Sequence, residues 1–240
     1  MNMYMQEQIA VLIPIYNGHE FLNESLDSVV NQTYKNWVLH IAINGHEKGS
    51  DVYKHAQTLR ETYIEEIRDK IVIHDLGITG GKSKTLNQIV QLLPESIHWV
   101  ALLDVDDIWH PEKLNVQSPQ INTYPSIWSV IGTRCIYIGD LQGIVPEIPT
   151  GDLQHFPFLR QNPIINSSAV IRKELCFWDG NDGVEDYSLW LKLKTEGHRF
   201  FNCSQILVKH RIHQKSAFNA YGANQNARMK LIEEYMHKLT

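Results

Sequence analysis

Hydrophobic positions in the first half of the chain come in short unbroken runs, separated by segments in which apolar residues recur every three or four positions. The run 9–16, Ile-Ala-Val-Leu-Ile-Pro-Ile-Tyr, shows no polar alternation, which predicts a strand covered on both faces. Asn17-Gly18 is a turn signal, after which Phe21, Leu22, Ser25, Leu26, Val29 and Val30 mark one side of a helix. The same alternation repeats: a strand over 38–43 broken by Asn44-Gly45, a polar helical pattern over 51–69, and a strand over 71–75. A glycine-containing loop then spans 77–81. Leu86, Ile89, Val90 and Leu93 mark a helix ending before Pro94, and a fourth strand over 98–103 runs into Asp104. Strand and helix in alternation predict an α/β fold with a sheet flanked by helices.

Beyond that point the pattern is less regular. Pro111 fits the first turn of a short helix, 128–138 reads as a strand, and 139–163 is a Pro- and Gly-containing loop. A helix over 184–196 stops at Gly197 and a late strand covers 206–212. Tyr221, Met229, Ile232, Tyr235, Met236 and Leu239 then line one face of a terminal helix. With no repeat and no linker, the chain reads as a single domain of two halves, about 1–110 and about 111–240.

Composition narrows the function classes. The 240 residues, 43% of them hydrophobic and 20% charged, are enough for a substantial core. A net charge of −5 without any basic stripe argues against nucleic-acid binding, which uses many Lys and Arg on phosphates. The apolar runs fall short of the ~18 residues of a membrane span. Cys135, Cys176 and Cys203 are odd in number and far apart, as free thiols in a reducing compartment are. No signal peptide pattern opens the chain, and a cytoplasmic location is expected.

The sharpest polar feature is Leu102-Leu103-Asp104-Val105-Asp106-Asp107-Ile108, which puts three carboxylates in four positions where the fourth strand ends. Like charges so close repel unless a cation sits among them, and an open α/β sheet binds ligands at the carboxyl ends of its strands. Such oxygen ligands suit Mg²⁺ or Mn²⁺, with phosphate oxygens completing the shell. The plain alternative is an acidic turn leading into the helix at Pro111. Gly77-Ile78-Thr79-Gly80-Gly81-Lys82-Ser83 stands between strand and helix as a phosphate-binding P-loop does, but encloses three residues where that motif has four. A kinase or NTPase using Asp106 for Mg²⁺ is the enzymatic alternative.

Five segments in order carry a more specific signal: Val11-Leu12-Ile13-Pro14-Ile15-Tyr16-Asn17, Ser28-Val29-Val30-Asn31-Gln32-Thr33-Tyr34, the stretch from Leu103 to Leu114 containing Asp-Val-Asp-Asp, Val184-Glu185-Asp186-Tyr187-Ser188-Leu189-Trp190-Leu191, and Arg211-Ile212-His213-Gln214-Lys215-Ser216. Together, over residues 9–216, they resemble the successive signatures of family 2 glycosyltransferases of the GT-A fold. The resemblance implies a Rossmann-like, mixed and mainly parallel sheet in a single domain. It implies an inverting enzyme that moves a sugar from a nucleotide-sugar donor, UDP-linked in most members, to a glycan or other hydroxyl acceptor with the help of Mn²⁺ or Mg²⁺. Carried over by position, Pro14, Tyr16 and Asn17 would line the nucleotide pocket. Asp104 and Asp106 would be the Asp-x-Asp pair that touches ribose and metal, with Asp107 sharing the task. Asp186 would be the general base. Arg211, His213 and Ser216 would close over the diphosphate, with His213 a further metal ligand, and Gly81-Lys82-Ser83-Lys84-Thr85-Leu86-Asn87 would bring Lys82 or Lys84 near phosphate.

The sequence also departs from that pattern. Ile43-Asn44-Gly45-His46 stands where most members have Asp-Asp-Gly-Ser and an acidic residue reads uracil. Asn44 both donates and accepts, which leaves the donor's base open. Phe177-Trp178-Asp179-Gly180 is a reduced form of the usual segment before the Glu-Asp motif, so acceptor recognition is expected to differ. Glu185 and Asp186 also suit a plain helix start, with Asp182 and Glu185 in capping-box spacing, and Trp190, one turn on, is placed either to stack on a sugar or to pack in the core. Arg211 and His213 share a strand face. His210 and His213 alone supply too few ligands for structural zinc. A module that binds sugar nucleotide or glycan without turnover is the non-enzymatic reading.

Overall fold

The computed structural model describes residues 6–124, 126–180, 183–213 and 223–239. Four strands, β1 (Ile9–Ile15), β2 (Trp37–Asn44), β3 (Ile71–Gly77) and β4 (Trp99–Leu102), lie side by side in the order β3-β2-β1-β4. All three pairings are parallel, with Ile13 opposite Ile41 and Val11 opposite Ala101. Helices α1 (Leu22–Val30), α2 (Asp51–Glu61) and α4 (Lys82–Leu92) form the crossovers, with a short α3 (Glu65–Arg68) after α2. Both faces of β1 are therefore covered, which is why it reads as an apolar run. Ile9, Val11, Ile13 and Ile15 pack with Leu22, Leu26 and Val29 of α1 and with Val52 and Ala56 of α2. Ala10 and Leu12 face the other way, into a core with Leu86 and Ile89 of α4.

The sheet continues through β8 (Val170–Arg172), β6 (Val130–Gly139), β9 (Phe200–Ile212) and β5 (Ile108–Trp109), while β7 (Gly151–Asp152) pairs with β9. β8 is antiparallel to β4 and to β6, and β6 is parallel to β9. Two reversals restore direction, so β9 runs the same way as β4. The ends of β1, β2, β3, β4 and β9, and the segment entering β8, consequently gather at one edge of the sheet. α6 (Glu185–Thr195) covers the second core with Tyr187, Leu189, Trp190, Leu191 and Leu193, and α7 (Ala223–Leu239) adds Leu231 and Tyr235.

Local differences from the sequence expectations have visible causes. The helical pattern over 51–69 breaks after Glu61, where Thr62 Oγ1 donates to Leu59 O at 2.7 Å and Arg60 Nε donates to Arg68 O and Ile71 O. Pro111 lies in the turn before α5 (Lys113–Asn122) rather than in its first turn. α5 tolerates Pro119 because Ser118 Oγ donates at 3.0 Å to Asn115 O, the carbonyl that a residue-119 amide would otherwise serve. β9 begins six residues earlier than the apolar run at 206, with register shifts against β6 around Arg134. Among the described residues no helix is long and apolar enough to cross a membrane, and the three cysteines are buried free thiols.

Candidate active site

The edge where the parallel strands end collects the polar residues. Asp104, just past β4, is held by its neighbours before any ligand arrives. Ser167 Oγ accepts its backbone N–H at 3.0 Å, and Asn166 Nδ2 donates to both carboxylate oxygens at 3.1 and 3.0 Å. Lys82, the first residue of α4, reaches Asp104 Oδ1 at 2.7 Å and Glu185 Oε1 at 3.0 Å. Gly81 precedes the helix at φ +114°, a conformation L side chains rarely adopt. Burial alone would lower the Lys82 amine, but the charges of Asp104 and Glu185 outweigh it and hold the pKa well above the usual lysine value. Burial likewise pushes Asp104 up, and Lys82 and Asn166 overcome it and leave the carboxyl below its ordinary range.

Asp106 and Asp107 have different surroundings. Asp107 is fully buried; it accepts from His210 Nδ1 at 3.1 and 2.9 Å and from the Arg211 backbone N–H at 2.7 Å. Against the effect of burial, that carboxylate raises His210 to about 9, so His210 is a cation at neutral pH. Asp107 is thus committed to tying the end of β9 to the acidic turn. Asp106 meets His213 Nε2 at 3.0 Å, and its main-chain carbonyl accepts from Arg211 Nε at 2.8 Å. Arg211 Nη2 pairs with Glu24 of α1 at 2.9 Å, its guanidinium lying over the Phe21 ring. Burial, then the charges of Asp107 and Asp104, raise the Asp106 carboxyl, as expected where negative charge is in excess.

Those residues fit a divalent cation. The Asp106 oxygen and the His213 nitrogen stand 3.0 Å apart, a carboxylate and an imidazole of the kind a divalent cation takes as ligands, and Asp104 lies two residues from Asp106. Among the described residues no three His, Cys, Asp or Glu side chains converge as a ready-made cage. That suits an ion held by few protein ligands and completed by phosphate oxygens.

Asp186 stands at the start of α6. Burial is the main reason its carboxyl is raised to about 6; Glu185 adds to the rise, while Lys82 and the Tyr187 backbone N–H oppose it. Asn162 Nδ2 donates to Asp186 Oδ2 at 3.2 Å. Glu185 also accepts the Gly183 N–H at 2.6 Å, so its side chain serves the helix start and Lys82 together; Asp182, its expected capping partner, lies outside the described residues, as does Ser216. Trp190 has no exposure and packs edge-on to Phe200, which makes it a core residue and not a sugar platform.

The ends of β1 and β2 carry further candidate residues. Pro14, partly buried, precedes the fully buried Ile15 at the end of β1, and Asn17 is exposed. Tyr16, 58% exposed, packs against Gly45, where φ is +75° and a Cβ would sit 2.1 Å from the ring, so a side chain there would be strained and would push the ring aside. His46 Nε2 donates to Tyr16 O at 2.7 Å. Asn44 is buried; its Nδ2 donates to Thr85 Oγ1, and its Oδ1 has no partner. Lys84 is exposed and lies over Gly80.

The family model for glycosyl transferase family 2 matches residues 10–175. The chain belongs to that family. This glycosyltransferase is 26% identical, over a 250-residue alignment, to the O-antigen biosynthesis glycosyltransferase WbnJ of Escherichia coli, covering 100% of this chain and 93% of the relative. It is also 26% identical to the putative glycosyltransferase EpsE of Bacillus subtilis, over 84% of this chain and 72% of that one. In fold it resembles S. aureus TarS 1-349 in complex with UDP-GlcNAc, with a TM-score of 0.70 at 17% identity, over 96% of this chain and 69% of that 1-349 chain. The mannosyltransferase PcManGT from Pyrobaculum calidifontis, in complex with GDP-Man and Mn²⁺, gives 0.67 at 14% identity, over 98% of this chain and 64% of that one. The fold is therefore GT-A, and the P-loop reading of residues 77–83 is set aside: Lys82 pairs with carboxylates. Sequence reasoning on this glycosyltransferase missed Asn162, Asn166, Ser167, Glu24 and His210. The Asn-Pro dipeptide at 162–163 was a turn signal; the others carry no local signature.

Proposed function

We propose that this glycosyltransferase is a metal-dependent, inverting enzyme that moves a sugar from a nucleotide-sugar donor to a hydroxyl of a glycan or other acceptor. The observation that carries this reading is the arrangement around Lys82, which pairs with Asp104 on one side and with Glu185 on the other, next in the chain to Asp186, whose carboxyl burial raises to about 6. A carboxyl poised there suits a general base near neutral pH.

In this reading Asp186 takes the proton of the acceptor hydroxyl. The freed oxygen attacks the anomeric carbon as the bond to the nucleoside diphosphate breaks, and the leaving oxygen departs with the electron pair. Attack opposite the leaving group inverts the centre. Asp106 and His213 would hold a Mn²⁺ or Mg²⁺ ion, with Asp104, kept in place by Lys82 and Asn166, beside them; when bound, the ion would neutralise charge on the departing diphosphate. Tyr16, with Pro14, Asn17 and Asn44, would face the nucleoside, and Lys82 and Lys84 would stand on its phosphate side, where Ser216 would join them. Asp107 and Arg211 keep the Asp106 turn in place. A UDP-linked donor is the first to test and a GDP-linked one the second, since the structural neighbours hold one of each and the unpartnered Asn44 Oδ1 is an acceptor that a ring N–H of either base can serve. The name of WbnJ supports a role in polysaccharide assembly, and buried free thiols fit the cytoplasm.

Asp186→Asn tests the base. Donor affinity should stay within about twofold while transfer falls about 10²- to 10⁴-fold. Unchanged transfer would sink the assignment, and tight donor binding without turnover by the wild type would favour a binding module.

A further inference from the structure

Base and donor acids lean on one segment, residues 162–168. At its start Asn162 Nδ2 donates to Asp186 Oδ2 at 3.2 Å. At its end Asn166 Nδ2 donates to both oxygens of Asp104, and Ser167 Oγ receives the Asp104 N–H. The segment is itself fixed from beneath. Ile164 is fully buried, and the buried Asn202 donates through Nδ2 to Pro163 O at 2.8 Å. Trp109 Nε1 donates to Ser167 O at 2.6 Å and Gln117 Nε2 to Ser168 O at 2.9 Å. Asn162 has a defined orientation as well, because its Oδ1 accepts the Ile164 N–H at 3.2 Å. With the oxygen committed there, the end of the amide turned to Asp186 is its NH₂ donor.

We propose that Asn162 is a positioning residue for Asp186, and that the 162–168 segment sets the spacing between the base and the Asp104 end of the donor site. The inference rests on Asp186 being the base. A neutral donor on one carboxylate oxygen stabilises the charged form and restricts rotation of the side chain. It therefore works against burial and Glu185, which raise Asp186, and alongside Lys82 of α4 and the Tyr187 N–H, which lower it. Asp104 adds a smaller upward push, and Arg228 of α7 acts on the neighbouring Tyr187. Substituting Asn162 leaves all of these groups in place.

The test is a ¹³C-carboxyl NMR titration of the donor-free protein, with the Asp186 resonance assigned by Asp186→Asn. Asn162→Ala removes the contact; Asn162→Asp keeps an acceptor for the Ile164 N–H, and so the turn, while replacing the donor by a like charge. The Asp186 midpoint should rise by about half a unit to one unit in Asn162→Ala and further in Asn162→Asp. The acid limb of transfer should move with it, kcat falling about tenfold at neutral pH while the donor KM stays within about twofold. An Asp186 midpoint unmoved in both variants, with a native-like amide spectrum, overturns the inference. Undiminished transfer by Asp186→Asn would instead overturn the base assignment, and the donor-free titration distinguishes the two failures.

Discussion

Lys82→Met removes an ammonium that lies 2.7 Å from Asp104 and 3.0 Å from Glu185 while keeping most of the side chain's volume. Breaking a buried ion pair by deleting one partner costs about 3–5 kcal/mol. Here the Lys82 side chain is 30% exposed and that of Asp104 23%, so water shares the loss, and about 2 kcal/mol is expected. For a chain of this size that lowers Tm by about 4–8 °C. The pH dependence has a definite sign. Asp104 is held below its ordinary value of 3.8, so its contribution is present above that pH and fades as pH falls further. Lys82 is held well above 10.5, so its contribution is complete below that value and fades only at higher pH. The deficit of the variant should therefore be constant across neutral pH and shrink only below about pH 4, as the wild type loses the pair too. Urea unfolding of both proteins at pH 7.5, 5.5 and 3 measures this. Equal stability at pH 7.5, or a deficit that widens in acid, would refute the reasoning.

The Asp186 carboxyl near 6 predicts that kcat/KM for transfer is level above about pH 7 and falls tenfold per unit below about pH 6; a limb centred near 4 would contradict it. His40 of β2, stacked on His74 with Nδ1 2.9 Å from the His74 Nε2, is lowered to about 4 by burial and then by its neighbour. Its folded pKa lies below the unfolded value of 6.5, so stability is full above about 6.5 and is lost as pH falls towards 4, by at most about 3 kcal/mol. His40→Phe should flatten that part of the stability–pH curve, which urea midpoints between pH 4.5 and 7 will show; an unchanged slope would mean that His40 is not the group.

The parallel half of the sheet was legible because strands covered on both faces leave unbroken apolar runs, and 9–16 and 98–103 are such runs. β8, β7 and β5 span two or three residues each, too short for any period, and exist through pairing with distant strands. The site divides in the same way. Asp104, Asp106 and Asp186 sit in contiguous motifs and stand out in the sequence. The commitment of Asp107 to His210, across 103 positions, has no local pattern, so Asp107 was expected to share the task of Asp104 and Asp106 until the fold brought β9 beside it. Asn162 and Asn166 were equally silent, since a side-chain amide is polar anywhere in a loop and only the packing under Pro163 and Ser167 decides what it faces.

Release of nucleoside diphosphate from a panel of UDP- and GDP-linked sugars, with Mn²⁺ and after chelation, tests the central claim most directly, with Asp106→Ala alongside. Metal-stimulated turnover of at least one donor, lost on chelation and in Asp106→Ala, is the predicted result. Turnover that proceeds at the same rate with the metal removed, or in Asp106→Ala, would contradict it.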